Sequence, residues 1–417
     1  MKPFTRSFLF AVAAPVAAVL AQDPADKPAD YVAHEWGTFT SMVGTNGIVL
    51  EGLQREEEAL PRFVHDLLRI AEAEEVHAKI PSSRVTQKME TPVIYFHTDQ
   101  ALRVRVDVWF AHGLMTQFYP LPGVVTPDLQ TMQAARIDMS KVDGSALHWD
   151  IDLVPRTEPA PREIPAVGAD EPWAIARQVH AAWVRTANQA PAKAEAEHYL
   201  FYRGLGRWQP KLLLARDGAG AVKLTNGMRD EVPFVAVLEL GAQGGRFAVG
   251  QPLAGGATQR IAWGDQEVIP SRALLAGRLG DAVHKALVRS GLFEDEARAM
   301  VATWSRSWFQ KDGARVIYVL PRSEVDQVLP LSLQPAPREL VRTLVGRLEF
   351  ITTAAQQNVE RALRDSSSPD GAVRGAGEQA LAALDRFLEP HLRNVASNGS
   401  DAAVRALAER RLAAETR

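Results

Sequence analysis

Read for the period of its apolar positions, the chain divides into a long strand-rich stretch and a helical end. The clearest alternation runs from Leu102 to Phe110, where Leu102, Val104, Val106, Val108 and Phe110 share one face and Arg103, Arg105, Asp107 and Trp109 the other. Leu147, Trp149, Ile151 and Leu153 repeat that pattern opposite His148, Asp150 and Asp152. Both are expected to be half-buried antiparallel strands. Further runs with strand character span Val32 to Thr40, Val93 to His97, His198 to Tyr202, Lys211 to Ala215, Ala221 to Leu224, Phe234 to Leu240, Arg246 to Val249 and Gln259 to Trp263. Gly-rich turns such as Asp217-Gly218 and Gly241 to Gly245 join them, and Asn46-Gly47 carries a hairpin signal after the first run. With no regular alternation of strand and helix, the spacing predicts an α+β chain. Its first part is an antiparallel β-sandwich or barrel-like domain over residues 31–265, followed by a C-terminal α-helical region.

Helical spacing appears at Phe63, Leu67, Leu68, Ile70 and Ala71, which predicts an amphipathic helix from Arg62 to His77, and again from Pro172 to Thr186. Ser271 precedes an expected helix Arg272 to Arg289, Glu294 to Trp304 forms another, and Arg315 to Leu320 reads as a strand between helices. Residues 266–335 are therefore expected to be a mixed extension of the β domain. From Arg338 the positions Leu340, Val341, Leu344, Val345 and Leu348 fall at helical intervals, so 336–417 is expected to be helical throughout, with Thr353 and Gln356 as a capping box. The motif Asp370-Gly-Ala-Val-Arg374 recurs as Asp401-Ala-Ala-Val-Arg405, as two stacked helical hairpins would give.

Composition places the chain in a compartment. Lys2 and Arg6 precede an apolar run from Phe8 to Leu20 that ends in Val19-Leu20-Ala21, so residues 1–21 read as a secretory signal peptide and 22–30 as a polar linker. The mature protein is expected to begin at Gln22 and to be periplasmic or extracellular. That apolar run is shorter than the ~20 residues a spanning helix needs, and no later segment is apolar for as long, so the mature chain is expected to have no membrane span. The absence of cysteine rules out disulfides, thiolate metal sites and a cysteine nucleophile. A formal net charge of -3 gives no basic footprint for nucleic acid.

Candidate chemistry is densest at His34-Glu35-Trp36-Gly37-Thr38-Phe39-Thr40-Ser41. Position 38 is Thr, so the block is no His-Glu-x-x-His motif. On a strand, His34, Trp36 and Thr38 face one way and Glu35 the other. Two further acid and imidazole pairs stand at strand ends, Glu90 with His97 and Glu197 with His198, the latter followed by Tyr202-Arg203. The first block, Met89 to Phe96, Glu197 to Gly204 and the stretch from Trp308 to Arg347 resemble a family of exported bacterial proteins to which no activity is assigned. The resemblance implies homology over most of the mature chain and no particular reaction.

The residues themselves frame two readings. In the first, His34, His97 and His198 converge on a divalent metal, with Glu35, Glu90 and Glu197 as catalytic carboxylates and Trp36, Tyr202 and Arg203 binding substrate, which makes a metal-assisted hydrolase. In the second, the β domain holds an envelope glycan, peptide or protein without catalysis. A two-carboxylate glycosidase built from Glu35, Glu90 or Glu197 requires a separation of ~5 to ~9.5 Å. His148, Asp150 and Asp152 have metal-like spacing, but a polar face opposite an apolar one is what a half-exposed strand shows by default.

Overall fold

A computed structural model describes residues 28–56, 59–67, 84–128, 139–169, 171–187, 189–218 and 220–415. The segments read above as signal peptide, most of the linker, and most of the helix Arg62 to His77 lie outside the described residues. At the described start of that helix, His65–Asp66 is a short strand paired with Gly113–Tyr119.

The chain folds as α+β, with β-sheets first and helices at the C-terminal end. Its centre is strand Ala29–Val43, in which every residue from Tyr31 to Val43 is buried. It pairs antiparallel with Gln87–His97 on one side and parallel with Pro337–Phe350 on the other. Around them a nine-stranded sheet runs in the order Gly244–Val249, Val235–Gly241, Gly313–Val319, Pro337–Phe350, Ala29–Val43, Gln87–His97, Leu200–Gly206, Gly113–Tyr119 and His65–Asp66. This sheet takes strands from both sides of residue 265, so the mixed extension and the β domain share one core.

The two faces of the sheet bury different layers. Ala33, Phe39, Met89, Ile94 and Phe96 pack against Val104, Val106, Val108, Leu147, Trp149 and Ile151 of a second sheet, which is built on Leu102–Ala111 and Gly144–Val154. Trp36, Val93 and Tyr95 point the other way, onto helices Arg272–Arg289 and Glu294–Phe309 through Leu279, Val283, Met300, Trp304 and Trp308. A central strand covered on both faces has no solvent side, which is why its residues are buried without alternation. One irregularity matters nearby. Trp36 pairs with Val93 but Thr38 pairs with Glu90, so the partner strand carries an extra residue at Thr91-Pro92. Gly37 sits at this bulge, and a Cβ there would come within 2.7 Å of the Pro92 Cα.

Several sequence expectations are corrected. Pro337–Phe350 is a strand, and the C-terminal helices begin only at Thr353, capped by Thr352, whose hydroxyl accepts from the Ala355 N–H. The stretch Pro172 to Thr186 is helical only over Pro172–Ala176 and ends as strand Trp183–Thr186. The Asn46-Gly47 turn forms, with Gly47 at φ +78°, but beyond it only an isolated Val43–Val49 bridge follows. The repeated Asp motif marks two equivalent helix starts. Asp370 caps Gly371–Ala382 and Asp401 accepts from the Val404 N–H at the start of Ala402–Glu415. These helices and Thr353–Ser366 and Leu388–Asn398 close on a small core of Val359, Leu363, Leu381, Leu392 and Val404.

Candidate metal centre

Two of the three histidines singled out from sequence meet. His34 lies on the central strand opposite Tyr95, and His97 ends the neighbouring strand opposite Val32, so the two are diagonal neighbours on one sheet face. Their rings stand 5.1 Å apart between centroids. The carboxylate between them is Glu296, from the first turn of helix Glu294–Phe309. His34 Nδ1 is 2.6 Å from Glu296 Oε2 and His97 Nε2 is 3.0 Å from Oε1. Ligand atoms of His34, His97 and Glu296 all lie within 4.8 Å of one another.

The local sequence fixes this arrangement. Glu296 holds its own helix start by accepting from the Phe293 N–H at 2.8 Å, and the Phe293 ring packs 4.5 Å from His34 and 4.7 Å from His97. Asp295 accepts from the Glu296 N–H and from the His180 N–H, and so ties the His180 backbone to this turn. Burial is nearly complete, at 1% and 0% exposure for His34 and Glu296, while His97 keeps 15% and forms the edge toward solvent.

Protonation follows from the partners. His97 Nδ1 faces the His180 carbonyl oxygen at 3.2 Å, and a carbonyl only accepts, so Nδ1 carries a proton. His97 Nε2 then meets a carboxylate oxygen, and two acceptors at 3.0 Å need a cation between them. Either a second proton makes His97 an imidazolium, or a metal ion takes the lone pair. Donation from the far ring nitrogen to a backbone carbonyl is the outer-shell contact that ligating histidines usually make. His34 adds to the case, because its Nε2 is buried with no hydrogen-bond partner. Burial pushes the Glu296 carboxyl up, but hydrogen bonds from His34 and His97 outweigh it and hold it below the ordinary value of 4.5.

The other candidates lie elsewhere, and the expected convergence of three acid and imidazole pairs does not occur. His198 accepts from Arg156 at 2.9 Å, and burial followed by the charges of Arg156 and Arg177 pulls its pKa down to about 4. Glu35 points to the opposite sheet face, where Arg342 holds it at 2.5 Å and the Tyr202 hydroxyl donates to it. Glu90 shares the face of His34 but stands opposite Thr38, four residues along or roughly 13 Å away, and pairs with Arg386 at 2.5 Å. Glu197 receives Arg177 at 2.6 Å and the Trp173 indole at 2.8 Å. All three carboxylates are therefore committed to buried partners. Trp36 stacks on Tyr95 within the core, Tyr202 is fully buried, and Arg203 donates to Glu56 at 2.7 Å. His148, Asp150 and Asp152 face Asp107, Arg105 and Arg103 across the strand pair, and Arg103 donates to Asp152 at 2.9 Å, an ion-pair ladder with its own cations.

Glu296 is the member that sequence reading missed. Its one signal is position, third in a helix that starts Glu294-Asp295-Glu296, where an acid ordinarily serves the helix itself. Among the described residues no helix is long and apolar enough to cross a membrane. No family model and no curated protein matches the chain. Among solved structures it is similar to the Fcho1 mu-homology domain of Danio rerio with bound Eps15 peptide, at 8% identity over 78% of this chain and 97% of that one, with a TM-score of 0.25. It is likewise similar to the yeast delta-COP-I mu-homology domain, at 6% identity over 78% and 98%, with a TM-score of 0.25.

Proposed function

We propose that this is an exported divalent-metal protein in which His34, His97 and Glu296 hold a zinc-class ion, and that it works as a metal-assisted hydrolase. The observation that carries the reading is the convergence of His34, His97 and Glu296, whose ligand atoms lie within 4.8 Å of one another, with a proton or a metal ion needed between His97 Nε2 and Glu296 Oε1. Two imidazoles and one carboxylate are ligands a zinc-class ion accepts, and three protein ligands are the number found at catalytic sites. Such an ion supplies Lewis acidity for hydrolysis when bound.

The chain's own residues have distinct parts in this reading. His180 O keeps the proton of His97 on Nδ1 and so leaves Nε2 for the ion. Asp295 holds the His180 backbone and the Glu296 turn in register. Phe293 packs on both imidazoles, and substrate and the water that hydrolysis consumes approach past His97, the partly exposed member. The general base of the sequence reading is not among Glu35, Glu90 and Glu197, each of which already serves an ion pair.

Metal analysis of protein purified without chelator, followed by zinc titration of stripped protein, tests the reading. About one equivalent is expected in the unaltered chain, and His97→Ala and Glu296→Gln should each weaken binding by at least about tenfold, the effect expected for loss of a supporting group alone. Unaltered protein that takes up no zinc, cobalt or manganese at neutral pH refutes it. Protein that binds metal yet hydrolyses no ester, amide or phosphate probe keeps the centre and discards the hydrolase.

A further inference from the structure

A cavity of about 550 Å³ lies at the opposite end of strand Gln87–His97 from the metal centre, where Gln87 pairs with Gly206 and the Thr86 hydroxyl donates to the Trp208 carbonyl. Sites for small molecules commonly have about 300 to 1,000 Å³. Three segments close this one. The chain passes from the second sheet to the nine-stranded sheet through the single residue His112, which lies on the cavity wall at φ +57°, an uncommon conformation away from glycine. The His112 carbonyl accepts from the Arg207 N–H at 3.0 Å, which brings Arg207 and Trp208, just beyond strand Leu200–Gly206, alongside that corner. Helix Arg322–Val328 supplies the third wall through Glu324, Gln327 and Val328.

The charges along these walls do not cancel. Lys211 Nζ donates to Glu324 Oε2 at 2.7 Å and to Gln327 Oε1 at 3.1 Å, so that cation and that acid serve each other. Arg207 has no such partner. Among the described residues its one side-chain contact is Asp143 at 3.5 Å, and Asp143 is 99% exposed, where an ion pair is worth little. Arg207 Nε is buried with no hydrogen-bond partner. A guanidinium carries five N–H donors in one planar fork, so most of its capacity is unused here. The wall beside it is apolar. Trp208 packs edge-on against Phe39, with ring centroids 5.3 Å apart, which fixes its plane, and Ala111 and Val328 also line the cavity.

We propose that this cavity is a binding site for an aromatic monocarboxylate. The carboxylate takes a two-pronged contact with Arg207, and the ring lies against Trp208 and Val328. One net positive charge, with Glu324 in the same cavity, suits a ligand with a single negative charge. A phosphate dianion would bring its second charge against that acid.

The test is calorimetric titration of the full chain with phenylacetate, with phenylacetamide, which keeps the shape and loses the charge, and with acetate, which keeps the charge and loses the ring. A hydrogen bond to a charged group is worth about tenfold or more in affinity, so phenylacetate should bind at least about tenfold more tightly than the amide, and more tightly than acetate. Arg207→Gln should remove the preference over the amide, and Trp208→Leu the preference over acetate. Chelator should leave every affinity unchanged, because the metal centre stands at the other end of the strand. Equal binding of phenylacetate and its amide by the unaltered chain, a comparison that needs no variant to fold, overturns the proposal. So does undiminished phenylacetate binding in Arg207→Gln, or binding that chelator abolishes, which would put the carboxylate on the metal instead.

Discussion

Replacing Glu296 with Gln removes one charge and changes no volume, so its effect isolates the electrostatics of the centre. The carboxylate accepts from Phe293 N–H at 2.8 Å and faces His34 Nδ1 at 2.6 Å and His97 Nε2 at 3.0 Å, fully out of water. An amide keeps an accepting oxygen for one imidazole and offers an NH2 to the other, so what it removes is the charge that either imidazolium or a metal ion would meet. A charged partner removed from a buried pair costs about 3 to 5 kcal/mol. In chelator at pH 7, the urea midpoint should therefore fall by an amount equal to that cost divided by an unchanged denaturant slope. The pH dependence supplies a second, independent check. Glu296 has its folded pKa below the unfolded value, so its contribution is complete above about 4.5 and is lost as pH falls through the folded pKa. The gap between the two proteins should accordingly be widest near neutrality and shrink below pH 4.5. A loss under about 0.5 kcal/mol at pH 7, the size of an ordinary surface change, would refute the reasoning. So would a gap that stays constant into acid. Added zinc should then raise the unaltered protein by about 4 kcal/mol at a thousandfold excess over its dissociation constant, and Glu296→Gln by much less.

Other perturbations test the fold around this site. Leu344→Ala should cost ~2 to 5 kcal/mol in chemical denaturation, because the side chain is fully buried in the sheet core. Gly346→Ala should cost ~1 to 3 kcal/mol, since its Cβ would come within 2.1 Å of the Tyr318 ring. Asp370→Ala should lower stability by about 1 kcal/mol through loss of the bonds from the Ala372 and Val373 N–H groups. His148→Ala, on the outer ladder, should leave the metal content measured by elemental analysis unchanged.

How much of the fold the sequence displayed depended on whether an element keeps a wet face. Leu102–Ala111 was readable because one side meets solvent, so apolar and polar residues alternate along it. Pro337–Phe350 was misread because both of its sides are dry from Val341 onward. Leu340, Leu344 and Leu348 are four apart, and so are Val341 and Val345. An interval of four is close to one helical turn and is also an even number, so it satisfies a strand as well as a helix. The polar residues between them, Arg342, Thr343, Arg347 and Glu349, are buried as well and mark no wet face, so the pattern cannot choose. The tie was broken by a partner hundreds of residues away, the parallel register that sets Val341 opposite His34 and Leu344 opposite Gly37.

The same long-range pairing governs the site. His34 and His97 were legible as strand histidines, and their meeting follows from an antiparallel register that puts His97 two residues beyond the partner of His34. The choice of acid was not legible, because each candidate was sought beside its histidine in sequence. On a strand, adjacent residues face opposite ways, so Glu35 was excluded from the His34 site by the backbone itself. The acid had to come from the layer above, and there Glu296 already had a local reason to exist, as the carboxylate of its own helix start. A residue that satisfies a helix terminus and an imidazole pair together shows only the first task in its sequence context. The second appears once the helix is laid on the sheet.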